Sequence, residues 1–154
     1  MSKVAAHRLV ALLLVAAPLS ASAQAPKGGA TPTAAVSEFM RALADSNLSR
    51  VAQLWGNAKG PVSSSRPKGF EKKIVIMQAL LRGVEAKPVG EVAADKGDMR
   101  TVTTQLSHNG CRVTIPVNVV KSSVGWLVHD FDDVEASKIN QPCEGNKRPG
   151  NLER

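Results

Sequence analysis

The hydrophobic period of this chain changes once, at Gly83, and that change constrains the fold more than any other feature. Before it, apolar residues recur with helical spacing. After it they alternate. Val36, Phe39, Met40 and Leu43 fall at i, i+3, i+4 and i+7, a single stripe, with Thr31 or Thr33 placed to cap the helix and Pro32 suited to its first turn. Asn47 can cap a second, short helix carrying Leu48, Val51, Leu54 and Trp55. Gly56 to Gly69 reads as a Gly/Pro/Ser loop. A third helix is predicted from about Phe70 to Arg82, with Ile74, Met77 and Leu81 on one face. Val75, Ile76 and Leu80 add apolar surface elsewhere on it, so it is expected to be sandwiched between layers.

Beyond Gly83 the strands begin. Val84 to Ala94 is a weak one, interrupted by Pro88 and Gly90. Met99 to Leu106 alternates, and Asn109-Gly110 is the strongest hairpin signal in the chain. Cys111, Val113, Ile115, Val117 and Val119 then give a one-sided strand, in which Pro116 implies an edge or a bulge. The last strand runs from Val124 to Phe131. The expected class is α+β: two to three N-terminal helices packed on an antiparallel sheet of about four strands.

The first 23 residues have the form of a secretory signal. Lys3, His7 and Arg8 precede an apolar stretch from Leu9 to Ala17, Pro18 breaks it, and Ala21-Ser22-Ala23 suits signal peptidase. The stretch is too short to span a bilayer, and no cysteine follows it to carry a lipid. The expected organisation is a signal over 1–23, a flexible linker over 24–32, a domain over 33–135 and a polar tail from 136 to 154. The expected location is periplasmic or secreted. Cys111 and Cys143 are the only cysteines, and in an oxidising compartment such a pair reads as one disulfide tying that tail. Their spacing is not C-x-x-C and no histidine lies near Cys143, which disfavours a redox or metal site.

The chain carries a formal charge of +7, of which Lys3 and Arg8 belong to the leader. A basic chain raises the prospect of nucleic acid or anionic surfaces. Export disfavours the first, as does a chain with no Tyr, three Phe and two Trp, since single-strand binders lean on aromatic platforms.

Two segments carry a family resemblance. Ala42-Leu43-Ala44-Asp45-Ser46-Asn47-Leu48-Ser49-Arg50-Val51 resembles a helix–turn–helix opening of small secreted bacterial proteins. Trp126-Leu127-Val128-His129-Asp130-Phe131 resembles their closing strand. Those proteins belong to the nuclear-transport-factor-two-like superfamily, the cone fold shared with ketosteroid isomerase and limonene-epoxide hydrolase. Over about residues 33–133 the resemblance implies a curved sheet wrapped round the helices, with a pocket between them. Ser-Ser-Ser-Arg-Pro, between Pro61 and Pro67, departs from the pattern, because a short strand often sits there. The residues expected to line the pocket are Phe39, Trp55, Met77, Val117, Trp126, Val128 and Asp130.

Candidate chemistry is sparse. In cone-fold enzymes a cavity carboxylate or histidine acts as general base, and Asp130 is the weak candidate. Strict alternation places Trp126, Val128 and Asp130 on one face and Leu127, His129 and Phe131 on the other, so His129 and Asp130 form a dyad only if a bulge intervenes. Asp130, Asp132 and Asp133 otherwise solvate the strand end; as a calcium site they lack the EF-hand spacing. His108 sits at a hairpin tip, and Ser63-Ser64-Ser65 has no base nearby in sequence. Tyrosine, the donor to a developing oxyanion in the steroid-isomerase branch, is absent. Arg66, Lys68, Lys72 and Lys73 crowd the start of the third helix, where the macrodipole disfavours cations, and form a candidate anion site.

No metal or cofactor is expected. The favoured reading is an exported, non-enzymatic binding or interaction module with an apolar pocket, for a small apolar ligand or a protein partner. One alternative is a small pocket enzyme (isomerase, dehydratase or hydrolase) using Asp130. Another is an anionic-surface binder acting through Arg66–Lys73. A homodimer through the sheet is possible in any of these.

Overall fold

A computed structural model describes residues 28–93 and 97–143. The expected signal (1–23), the start of the linker and the end of the tail lie outside these residues. Helix α1 (Pro32–Ala44) begins where Thr31 caps it, the hydroxyl accepting from the Ala34 N–H at 3.1 Å. Helix α2 (Leu48–Leu54) is capped by Asn47, whose Oδ1 accepts from the Arg50 N–H at 3.1 Å. A short hairpin, β1 (Gly56–Asn57) with β2 (Gly60–Pro61), and one helical turn, α3 (Val62–Ser65), follow. The segment read as loop therefore holds local structure. Helix α4 spans Phe70–Leu81.

The four remaining strands are β3 (Glu85–Ala93), β4 (Met99–His108), β5 (Cys111–Ser122) and β6 (Gly125–Phe131). They pair antiparallel in the order β3-β4-β5-β6. Asn109 and Gly110 both take positive φ, 48° and 81°, and make the two-residue turn that their types predict. The class is α+β, helices first and then a four-strand antiparallel sheet, as expected.

The inner face of the sheet carries Val102, Thr104, Leu106, Ile115, Val117, Val119 and Val128, all fully buried. Against it packs the stripe of α1, with Val36, Phe39 and Leu43 also fully buried. Burying one such side chain is worth about 1.5–3 kcal/mol, which is why two short periodic patterns suffice to fix this interface. Helix α4 closes the helical layer with Ile74, Met77, Gln78 and Leu81.

Three expectations need correction, and the one for Pro116 holds only locally. Helix α4 is not sandwiched: Val75 and Ile76 are 50% and 53% exposed, because nothing among the described residues covers that side. Pro116 lies on β5, which is interior for most of its length, but at Pro116 itself the strand is a local edge. It escapes penalty because β6 pairing stops at Val117–Phe131, leaving β5 locally unpaired on that side.

The linker is not free from 28 onward. Gly29 exchanges backbone hydrogen bonds with Trp126 (2.8 and 2.9 Å), and the Gly28 N–H donates to the Val124 carbonyl at 2.9 Å, adding a short strap to the outer edge of β6. Only glycine fits there: a Cβ on Gly29 would lie 2.5 Å from the Ala35 Cα. Finally, residues 136–143 are not a tail held only at Cys143. Helix α5 (Asp133–Ser137) and a 3-10 turn (Lys138–Asn140) follow β6 and bury Ala136 and Ile139 in the core. The Asn140 amide also donates to the Leu80 carbonyl at 2.8 Å, at the end of α4. The Cys111–Cys143 disulfide is formed, with a Cα–Cα separation of 5.8 Å.

Candidate functional site

The site is made by a bulge. Strand β6 follows the expected alternation as far as Val128, with Trp126 and Val128 on the inner face. The register with β5 then slips: Val119 pairs with Val128, but Asn118 pairs with Asp130, so His129 is the extra residue. From there the faces are exchanged. Phe131, opposite Val117, turns inward and meets Phe39 edge-on at 6.2 Å between ring centroids. Asp130, opposite Asn118, turns outward. Its carboxylate is exposed and accepts from the Asn118 amide at 2.8 Å, while the Asn118 oxygen accepts from Thr101 at 2.8 Å. The inward acid expected on β6 is replaced by an aromatic ring.

The same bulge positions Trp55. The indole N–H donates to the His129 carbonyl at 3.1 Å, and a His129 ring nitrogen lies 3.1 Å from the Gly56 carbonyl oxygen. Trp55 itself bridges to Val128 at the end of α2. Both ring and backbone of Trp55 are thus fixed to β6, and its face is available to a neighbour. That neighbour is Lys73, whose ammonium sits 5.2 Å from the ring centroid.

Between these groups lies a cavity of about 210 Å³ lined by Phe39, Trp55, Lys73, Met77, Val128, Asp130, Phe131 and Asp133. Its floor is apolar and fully buried at Phe39 and Val128. Of its charged groups, Lys73 and Asp133 are exposed at the mouth, while Asp130 contributes only through the strand end, its carboxylate held on the outer face by Asn118. A more open groove of about 490 Å³ continues from it between α4 and α5, sharing Lys73, Met77 and Asp133 and adding Ile76, Leu80, Val134 and Ser137.

Five of the seven expected lining residues come together here: Phe39, Trp55, Met77, Val128 and Asp130, the last only through the strand end. Val117 lies beneath, in the core. Trp126 is half-buried at the far end of β6, under the Arg100 guanidinium at 5.8 Å, and does not reach the cavity. Lys73, Phe131 and Asp133 are not among the expected lining residues, Lys73 being assigned by sequence to the basic cluster. No pattern in the sequence marks the bulge that brings Phe131 in, and Asp133 enters only because α5 follows the strand directly.

The basic cluster is divided rather than convergent. Arg66, in the left-handed region at φ 42°, pairs with Glu71 at 2.9 Å and lies over Phe70. Lys73 belongs to the cavity, and Lys68 and Lys72 extend into solvent. Among the acids, Asp132 caps α5, its carboxylate accepting from the Glu135 N–H at 2.9 Å. His108 rests 3.2 Å from the Gly83 carbonyl oxygen, beside a shallow depression at the hairpin tip.

Chemically, the cavity can hold the apolar body of a small molecule and meet one charge at its mouth. The buried polar side chains among the described residues are Gln78 and Thr104; Gln78 bonds to Ser46 and Thr104 to the Val102 carbonyl, both away from the cavity. The fold and site thus define a helix-backed antiparallel sheet enclosing a small aromatic cavity.

No protein-family model matches the chain, and no curated protein does. Among solved structures, the chain is similar to an NTF2-like (nuclear-transport-factor-two-like) protein of unknown function from Cytophaga hutchinsonii ATCC 33406. The TM-score is 0.42 and the identity 15%, over 66% of this chain and 90% of that one.

Proposed function

We propose that the protein is an exported, non-enzymatic module that binds a small, largely apolar molecule in the cavity between α1, α4 and β6. The observation that carries this reading is the separation of surfaces. Apolar groups form the floor and ionisable groups stand exposed at the rim. General acid–base work needs a titratable group shielded from water together with a second polar group on the substrate. The Asp130 carboxylate instead lies on the outer face, bonded to Asn118. At about 210 Å³ the cavity falls below the roughly 300–1,000 Å³ typical of pockets for drug-sized ligands, so the ligand is compact. The disulfide supports export to an oxidising compartment.

The test uses 3,3-dimethylbutan-1-ol, a compact neutral alcohol, titrated into the disulfide-bonded protein and followed by NMR. Saturable shifts of the Met77 methyl and the Trp55 indole N–H are expected, with Asp130→Asn binding like the native protein. Shifts that do not saturate, or that scatter over the surface, refute the cavity as a binding site. Loss of binding in Asp130→Asn would restore the enzyme alternative.

A further inference from the structure

The cavity mouth already holds a cation, and it is the protein's own. The Lys73 ammonium is seated over the Trp55 ring at 5.2 Å, at the entrance to a cavity walled by two further aromatic rings, Phe39 and Phe131. One carboxylate, Asp133, borders that entrance beside Lys73, the one basic residue in the lining; the Asp130 carboxylate is turned to the outer face and held by Asn118. Among the described residues neither Lys73 nor Asp133 forms an ion pair, so Lys73 is held there by the ring rather than by a carboxylate. Lys73 is exposed, on a long flexible stem, and can leave without disturbing the core. Trp55 cannot move so freely: its indole N–H is fixed to the His129 carbonyl and its backbone bridges to Val128.

From this arrangement we infer that the cavity selects organic ammonium ions, with Lys73 acting as an internal occupant that the ligand displaces. An aromatic face attracts a cation through its quadrupole, and a quaternary ammonium also offers an apolar shell that the rest of the cavity can bury. A carboxylate ligand is disfavoured. It would have to draw Lys73 off the ring and sit beside Asp133, which carries its own charge. The inference rests on the cavity being a binding site, and it adds the ligand's charge and class.

Three compounds of one shape decide it: choline, its neutral carbon analogue 3,3-dimethylbutan-1-ol, and the anion 3,3-dimethylbutanoate. Binding is measured by calorimetry on the disulfide-bonded protein and on three variants. Choline should bind more tightly than the alcohol. Lys73→Gln, which removes both the internal competitor and its like charge, should tighten choline about 2- to 5-fold more than it tightens the alcohol. Asp133→Asn, at an exposed position that leaves the core intact, should weaken choline selectively. Trp55→Leu should bring choline down to the level of the alcohol. Equal binding of choline and the alcohol overturns the cation preference while leaving the cavity reading intact. Preference for the carboxylate, abolished in Lys73→Gln, overturns it in favour of an anion site. Failure of all three compounds to bind refutes the cavity reading itself.

Discussion

Asp130 and Phe131 show how much one extra residue decides. Alternation assigns Asp130 to the inner face and Phe131 to the outer, and the bulge at His129 reverses both. An acid that would have been a candidate base becomes a solvent-face hydrogen-bond acceptor, and an aromatic ring enters the cavity in its place. Trp126, three residues before the bulge, keeps its expected face but lies at the end of the strand, where Arg100 shields only one side of it. Full burial would make Trp126→Ala cost about 3–5 kcal/mol; half-burial lowers the expectation to about 1–3 kcal/mol. Urea denaturation measures this directly, and a loss above that range would mean that the ring carries a larger share of the core than its exposure implies. Residue types were legible at these positions, whereas their orientation was not, because the slip in register arises from pairing with β5.

At the scale of elements, the capped helices and the hairpin were readable because their signals are local. Thr31, Asn47 and Asn109-Gly110 act within a few residues of themselves. The segments misread were those whose partners are distant. Gly28 and Gly29 carry no side chain to suggest burial, yet they fill a slot between Ala35 and the edge of β6. Residues 136–143 look polar on average, yet Ala136 and Ile139 are buried in the core and Cys143 packs against it, within a stretch too short to show a period. That closing segment is held by the buried Ala136 and Ile139, by the Asn140–Leu80 hydrogen bond and by the disulfide. Replacing both cysteines by serine removes a cross-link 32 residues apart in sequence, and should cost about 3–4 kcal/mol in the chain-entropy view. Ile139→Ala should cost about 2–5 kcal/mol by leaving a cavity under β5. In hydrogen exchange the double serine variant should keep protection at Ala136 and Ile139. Complete loss of protection there would show that the disulfide alone holds the segment.

For the molecule as a whole, compartment and covalent state are linked. A signal over residues 1–23 would deliver the chain to an oxidising space, where Cys111 and Cys143 form the bond seen in the structure. Intact mass of the protein recovered from the periplasm should correspond to residues 24–154 with no free thiol, and reduction with alkylation should add two labels. Two free thiols without reduction would contradict both export and the bridge. Sequence alone determined the class and the order of the three main helices and four main strands, because a helical period followed by alternation leaves few ways to bury one core. It also determined the cysteine pairing, since two cysteines allow one pair. Only the tertiary structure decided the site. Which residues line the cavity depends on a register slip between two strands, on a lysine of α4 meeting a tryptophan from the end of α2, and on a closing segment that buries two small patches. These are contacts between residues far apart in the chain, and their free energies appear only when the elements are packed together.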